Sequence, residues 1–217
     1  MNTQTTLATP PLLRGYLHLA TAVVTPYALV HLLFSADSPR GFVGGAIYGS
    51  SLILMYTTSA IYHLIPWGAS HRNVVRRVDH SMIFIFIGGT YTPFALMLLS
   101  NEWGIPILSV VWGLVGMGVI QKIIAPSASR RFRVSIYLAI GWIGLIAVFQ
   151  LAAALTVEAL VLIVGGGLLY SVGGVTYAKR WPDPFPRVFG YHEVFHSLVV
   201  LASAVFWVVI ATYVLPY

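Results

Sequence analysis

The sequence contains no cysteine and very few charged residues. Of its 217 residues, 8% are Asp, Glu, Lys or Arg and 58% are hydrophobic. A soluble domain usually carries about a quarter charged residues, so this chain lacks the polar surface that a water-soluble enzyme needs. Without thiols there is neither a disulfide nor a thiolate ligand, and a metal would depend on His, Asp, Glu or water. We therefore expect an integral membrane protein that forms one domain over residues 1–217.

Long apolar stretches make up most of the chain. A membrane-spanning helix needs roughly 20 mostly apolar residues. Seven stretches meet this requirement, at approximately residues 12–34, 42–64, 79–99, 104–124, 134–155, 157–178 and 190–214. The boundary at Thr156 is the weakest of those that separate them. The prediction is an all-α bundle of seven transmembrane helices without an extra-membrane domain.

Basic residues predict the orientation of this bundle. Eleven of the twelve Lys and Arg residues fall on one side of the seven spans, and Arg40 lies on the other. Loops rich in Lys and Arg stay in the cytoplasm, so the N-terminus is predicted to be cytoplasmic and the C-terminus outside, in the inner (plasma) membrane. The basic loops are interpreted as topology signals and lipid-headgroup contacts, not as a nucleic-acid site. The first residues lack a basic region before a short apolar stretch, so no cleaved signal peptide is expected.

Histidines inside the predicted spans are the informative polar residues. An ionisable group in a span costs several kcal/mol unless it faces the bundle interior and finds partners. Ser59 and His63 lie at the cytoplasmic end of span two, four residues apart on one helix face. His192 and His196 have the same spacing in the first turns of span seven, which places them about 6 Å apart along the helix axis. The predicted topology puts all of these residues in the same leaflet.

This set of residues predicts a metal site. Three imidazoles, from His63, His192 and His196, with water as a fourth ligand, are typical of an open tetrahedral Zn²⁺ site. Asp79 begins span three at the same depth, where it would orient the bound water or an imidazole N–H, or act as the base for that water. Ser59 would donate a hydrogen bond to the same network.

Each residue also has a simpler interpretation. Taken singly, His63 suits a packed interfacial histidine, and Asp79 suits a helix N-cap.

The segment HEVFH further matches the H-E-x-x-H motif of zinc metalloproteases, in which Glu193 would be the general base. Such proteases normally take another ligand downstream, and no His, Asp, Glu or Cys follows His196. We therefore expect Glu193 to face the cytoplasmic headgroups.

Other features near these residues receive weaker assignments. His18, at the cytoplasmic end of span one, is a candidate for a supporting contact only, and His80 is expected to have a structural role. Small residues let membrane helices approach closely. Close packing is accordingly predicted for Gly45-x-x-x-Gly49 and for the run of glycines at 165–167.

Taken together, these residues resemble the bacterial haemolysin III proteins, within the progestin and adipoQ receptor superfamily. The matching segments are TTSAIYHLIP at 57–66, RVDH at 77–80, GGTYTPF at 88–94 and GYHEVFHSLVV at 190–200. The resemblance implies a seven-helix bundle with a cytoplasmic N-terminus and a zinc ion near the cytoplasmic face. By position, the family's three histidine ligands, motif serine and water-contacting aspartate fall on His63, His192, His196, Ser59 and Asp79.

The chain departs from this family near its start. About eleven residues precede the first predicted span, whereas the hormone-receptor branch has a large cytoplasmic region there, so the short bacterial branch is favoured. Many bacterial members begin span one with a motif that contains Glu and Asn, and LRGYLHLA takes its place here.

The resemblance leaves two main functions open. In the first, the protein is a zinc-dependent hydrolase of a lipid amide or acyl bond, with Asp79 as proton acceptor. In the second, zinc is structural and the protein maintains or senses membrane lipids without turnover. An open ligand position favours the first, because structural sites usually have four protein ligands. A pore-forming cytolysin and an intramembrane metalloprotease that uses Glu193 are less favoured. Membrane lipids are the predicted partners.

Overall fold

A computed structural model describes residues 11–124 and 128–217. Apart from an isolated β-bridge between Phe185 and Phe189, the regular elements in these ranges are helical. The α-helices are α1 (Tyr16–Phe34), α2 (Pro39–Leu64), α3 (Ala69–Met97), α4 (Asn101–Ile124), α5 (Arg130–Gly141), α6 (Val148–Ala154), α7 (Val157–Lys179) and α8 (Tyr191–Val209). A 3₁₀ segment, Ile143–Ala147, separates α5 from α6, and a π-helical turn, Ile210–Val214, follows α8.

Six helical segments in the described ranges are long and apolar enough to cross a membrane. They are α1, α3, α4, the stretch from α5 through α6, α7, and α8 with its π-helical turn. Helix α2 has 26 residues but is less apolar, and it packs between α1 and α3 with eleven of its residues buried. Polar residues in membrane helices face the bundle interior, which accounts for this composition. The prediction of an all-α fold is confirmed for the described ranges, and six of its helical segments are candidates for membrane spans.

Side-chain caps fix where several helices begin. Pro39 opens α2, and the hydroxyl of Ser38 accepts a hydrogen bond from the Gly41 amide at 3.1 Å. Thr156 caps α7 in the same way and accepts from the Ala159 amide. The helix boundary predicted at Thr156 is therefore confirmed.

Helix α3 begins ten residues before the predicted third span. Arg72, Arg76 and Arg77 lie on its first turns. Most of the stretch between the second and third predicted spans is therefore helical, because an apolar stretch marks only the part of a helix that suits lipid. Arg is a good helix former, so the helix continues past the end of that stretch.

The predicted fifth span is interrupted in its middle. Helix α5 ends at Gly141, and the chain continues as the 3₁₀ segment before α6 begins. The hydroxyl of Tyr91, from α3, donates to the Gly141 carbonyl at 2.7 Å and accepts from the Gly144 amide at 2.8 Å. Backbone groups within a bilayer need partners inside the protein, and Tyr91 supplies them at this break.

Glycines at two of the predicted positions allow close helix packing. A Cβ on Gly49 would lie 2.5 Å from Leu29 of α1, and one on Gly166 would lie 2.7 Å from Phe206 of α8. The prediction of close packing is thus confirmed at these two positions. It was wrong for Gly165, where a Cβ would meet nothing within 4 Å, because this residue faces away from the neighbouring helices.

The helices pack in a ring around a central cavity. Helix α2 contacts α1 and α3, α3 contacts α4 and α5, α5 contacts α7, α7 contacts α8, and α8 contacts α1. This order places the C-terminal end of α2 beside the N-terminal ends of α1 and α8. The histidines predicted to bind metal lie at these helix ends.

Candidate metal centre

Three histidines from α2 and α8 meet at one end of the bundle. His63 lies in the last turn of α2, and His192 and His196 lie in the first turns of α8. Nε2 of His63 is 3.2 Å from Nε2 of His192, and the ring centroids of His192 and His196 are 4.4 Å apart. One ligand nitrogen from each ring lies within 4.8 Å of the other two. The structure thus brings together the three residues that the sequence places in one leaflet.

The donor atoms of this cluster fit a divalent metal ion. Around a tetrahedral Zn²⁺ with Zn–N bonds of about 2.0–2.1 Å, two nitrogens lie roughly 3.3 Å apart. The Nε2 atoms of His63 and His192 match that spacing, and the ligand atoms of all three histidines lie within 4.8 Å of one another. Within the part of the chain that the structure describes, this is the one group of three or more His, Asp or Glu side chains placed to share an ion.

Ser59 and Asp79 lie beside the three histidines. Ser59 is one turn before His63 on α2 and is buried. Asp79 comes from the early part of α3. Both residues line the same cavity as the histidines. Three helices that are separate in the sequence therefore build one polar cluster.

A fourth histidine, His18 of α1, belongs to this cluster more closely than its sequence position suggests. Its ring stacks on His196 with centroids 3.7 Å apart and planes 7° from parallel. Its Nδ1 lies 2.8 Å from the Ser59 hydroxyl, and the residue is 4% exposed. The sequence signal was one histidine in an apolar helix at the right depth. The spacing within α1 contains no motif, so only the packing of α1 against α8 reveals the contact.

Glu193 is buried, and the expectation that it faces the headgroups was wrong. It is 3% exposed, and one carboxylate oxygen accepts a hydrogen bond from the Gly190 amide at 2.8 Å. The other oxygen forms an ion pair with Arg14. The free amides and the dipole at the start of α8 favour a negative charge at this position, which explains the burial. Glu193 does not line the cavity that contains the histidines.

The segment before α1 crosses over the histidine cluster. The Leu12 amide donates to the Arg187 carbonyl at 3.0 Å, which ties the segment to the loop before α8. Gly15 then has a φ of 87°, a left-handed conformation that side chains disfavour. A Cβ at Gly15 would lie 2.8 Å from Cβ of His63. Glycine is therefore required for this close approach.

The remaining histidines differ in their relation to the site. His80 lines the cavity, and its backbone carbonyl accepts a hydrogen bond from the Tyr137 hydroxyl at 3.2 Å. His31 lies near the other end of α1, where it contacts Trp207. Of these two, only His80 lines the cavity that contains the histidine cluster.

An elongated cavity of about 300 Å³ extends from this cluster into the bundle. It follows α3 from Asp79 to Phe94, a length of about 22 Å at 1.5 Å per residue. Most of its lining is apolar, and helices α5, α6 and α7 form the wall opposite α3. Apolar cavities with a few polar groups at one end are typical of sites that bind amphiphilic molecules.

Sequence comparison identifies the family to which these features belong. The family described as Haemolysin-III related matches residues 7–207, a range that includes all three histidines, Ser59 and Asp79. The chain belongs to this family. The resemblance predicted from the four sequence segments is thereby confirmed.

Curated relatives agree with the haemolysin-III assignment. The hemolysin-3 homolog of Bacillus subtilis (strain 168) is 36% identical over 180 residues, which cover 82% of this chain and 81% of the relative. The hemolysin-3 of Bacillus cereus is 32% identical over 203 residues, which cover 90% of this chain and 87% of the relative. The monocyte to macrophage differentiation factor of Homo sapiens is 26% identical over 194 residues, which cover 86% of this chain and 76% of the relative. The similarity to haemolysin-III proteins thus extends over most of the chain.

Proposed function

We propose that this haemolysin-III related protein is one seven-span domain over residues 1–217, located in the inner (plasma) membrane with a cytoplasmic N-terminus. Helix α2 is proposed to cross the membrane in addition to the six helical segments named above. Its 26 residues extend about 39 Å, more than the roughly 30 Å of a hydrocarbon core. It carries no Asp, Glu, Lys or Arg after Arg40. The excess of Lys and Arg on one side of the spans supports the orientation.

We propose that His63, His192 and His196 bind Zn²⁺. The observation that carries this proposal is the position of three imidazole nitrogens within 4.8 Å of one another at the end of the cavity. An all-imidazole donor set suits zinc, and three protein ligands leave one position open. A zinc ion bound there would polarise a carbonyl group and lower the pKa of water.

The proposed reaction is hydrolysis of a lipid amide or a related acyl bond. Asp79 accepts the proton of the attacking water, as a general base must lie within hydrogen-bonding reach of the proton it removes. Ser59 lines the same end of the cavity as Asp79 and orients its carboxyl group. The apolar cavity along α3 receives the acyl chain and keeps the scissile bond at the polar end.

A non-enzymatic role with structural zinc is the second candidate. The three histidines join α2 to α8, so a bound ion would tie an early helix to the last one. In that case the protein would maintain or sense membrane lipids without turnover. An intramembrane protease receives less support, because Glu193 is paired with Arg14 and lies outside the cavity. A cytolytic pore, suggested by the relatives' names, has no supporting feature among the described helices.

Metal analysis of the purified full chain tests the proposed centre. The wild type and a His31→Ala control are expected to hold about one zinc per chain, the content of a mononuclear site. His63→Ala and His196→Ala are expected to lose it. If all four preparations contain no zinc, both zinc proposals fail. If zinc is present, turnover of N-acyl lipids with and without a chelator separates the enzyme from the structural role.

A further inference from the structure

Among the Lys and Arg residues of the described ranges, Arg133 lines the cavity, and Lys122 packs against Tyr137, which also lines it. Arg133 of α5 and His80 of α3 both line the cavity. Arg76 lies one helical turn before His80 on α3, and Arg130 lies one turn before Arg133 on α5. Arg133 also donates a hydrogen bond to the Ala128 carbonyl, which fixes its position. The group formed by Lys122, Arg133, Arg76 and Arg130 is referred to below as the basic cluster.

Lys122 is the most unusual member of the basic cluster. It is 4% exposed, and lysine is almost never fully buried without a partner of opposite charge. Its ammonium group lies 5.7 Å from the ring centroid of Phe84 and 5.6 Å from that of Tyr137. The aromatic faces attract the cation but do not neutralise it. The charge that acts on Lys122 most directly is that of Arg133, which has the same sign.

No carboxylate among the described residues forms an ion pair with the basic cluster. In residues 11–124 and 128–217 the one ion pair joins Arg14 to Glu193. Asp79 lines the cavity but forms no ion pair with a residue of the basic cluster in the described ranges. Topology alone explains why basic residues lie at this end of the spans, but it does not explain a buried lysine beside an arginine that lines the cavity. An anion from a bound molecule would complete this arrangement.

We infer that Lys122 and Arg133 bind the phosphate of an anionic phospholipid whose acyl chain lies in the cavity. Basic pockets between helices on the cytoplasmic side of a membrane suit phosphate headgroups, and charge-assisted hydrogen bonds from Arg and Lys to phosphate are strong. This inference rests on the proposed function and narrows its substrate class from lipids in general to phosphate-bearing amphiphiles with a net negative headgroup.

Native mass spectrometry of the purified full chain in neutral detergent tests the inference. The protein is incubated with phosphatidylglycerol or phosphatidylcholine of identical acyl chains, or with glycerol phosphate as the soluble source of the same anion. The wild type is expected to retain phosphatidylglycerol about tenfold better than phosphatidylcholine, as strong charge-assisted contacts to the headgroup require. Lys122→Gln and Arg133→Gln are expected to reduce this preference about fivefold or more.

Matched variants separate the basic cluster from general surface charge. Arg131→Gln removes the same charge from an exposed position on α5 and is expected to keep the preference. Lys122→Arg keeps the positive charge and is also expected to keep the preference for phosphatidylglycerol. This variant tests the site even if Lys122→Gln does not fold. Equal retention of both lipids by the wild type would overturn the inference. Equal losses of the lipid preference in Arg131→Gln and Arg133→Gln would also overturn the inference.

The glycerol phosphate sample identifies the source of the bound anion, and a zinc measurement separates this inference from the metal proposal. Glycerol phosphate that binds as tightly as phosphatidylglycerol would assign the basic cluster to a soluble anion and overturn the lipid inference. Zinc content is measured on the same samples. Zinc without lipid preference overturns the headgroup subsite alone, whereas lipid preference without zinc supports the subsite and overturns the metal proposal.

Discussion

His18 and His196 stack face to face, with centroids 3.7 Å apart, although they belong to the first and last helices of the bundle. Nδ1 of His18 also lies 2.8 Å from the hydroxyl of Ser59, which lines the same cavity as Asp79. A hydroxyl group has one hydrogen to donate. If Ser59 gives it to the Asp79 carboxylate, His18 must donate its Nδ1 hydrogen to Ser59. His18 therefore supports both a candidate metal ligand and the hydroxyl beside the candidate base.

We expect His18→Ala to weaken zinc binding about tenfold, because residues that orient metal ligands contribute this much or more to affinity. His18→Phe keeps an aromatic face against His196 and is expected to recover most of the affinity. It loses the hydrogen bond to Ser59, so turnover stays reduced. Zinc affinity is measured by competition with a chelator, with His31→Ala as the control. Wild-type affinity in His18→Ala would contradict the supporting role.

Gly15→Ala is expected to destabilise the protein by about 1–2 kcal/mol, the cost of a left-handed conformation for a residue with a Cβ. The added Cβ would also press on His63, so zinc affinity falls as well. Gly68→Ala is the matched control, since a Cβ there meets nothing within 4 Å. Thermal unfolding in detergent, with and without zinc, measures both effects. Equal unfolding midpoints for Gly15→Ala and Gly68→Ala would show that the close approach of residue 15 to His63 does not require glycine.

Asp79→Asn is expected to lower turnover about 10²–10⁴-fold, the range typical of losing a general base, while zinc content stays near that of the wild type. Glu193→Gln keeps an acceptor for the Gly190 amide and is expected to retain most of the activity. Hydrolysis of an N-acyl lipid and zinc content are measured on both variants. Activity that depends on Glu193 and not on Asp79 would favour the protease interpretation.

The absence of cysteine makes the topology directly testable. A membrane-impermeant thiol reagent is expected to label Ser100→Cys in intact cells, because residue 100 follows a span that begins in the cytoplasm. Ser129→Cys is expected to react only after the membrane is permeabilised. Both positions are exposed, and the unmodified chain is the blank. Labelling of Ser129→Cys in intact cells would reverse the proposed orientation.

Much of the site could be predicted from sequence because the relevant spacing is local. His192 and His196 share a helix face through the four-residue repeat, and so do Ser59 and His63. Depth along a span then places residues of different helices at the same end of the bundle. The structure brings together the three histidines that this reasoning selects.

The environment of Glu193 shows where local reasoning ends. The helix repeat turns this residue away from the histidines, and the sequence suggested exposure. Its burial depends on Arg14, which lies 179 positions earlier in the chain. The mid-span break after α5 is similar, since Tyr91 of another helix satisfies the backbone groups at Gly141.

The sequence by itself determined the membrane class, the helical content and the position of each polar residue along its helix, because apolar length and helix periodicity are properties of neighbouring residues. Only the tertiary structure decided which faces meet: the stack of His18 on His196, the ion pair of Glu193 with Arg14, and the burial of Lys122. These contacts depend on the order in which helices pack and on their rotation. Both result from the sum of many small contacts between distant segments, which no short stretch of sequence contains.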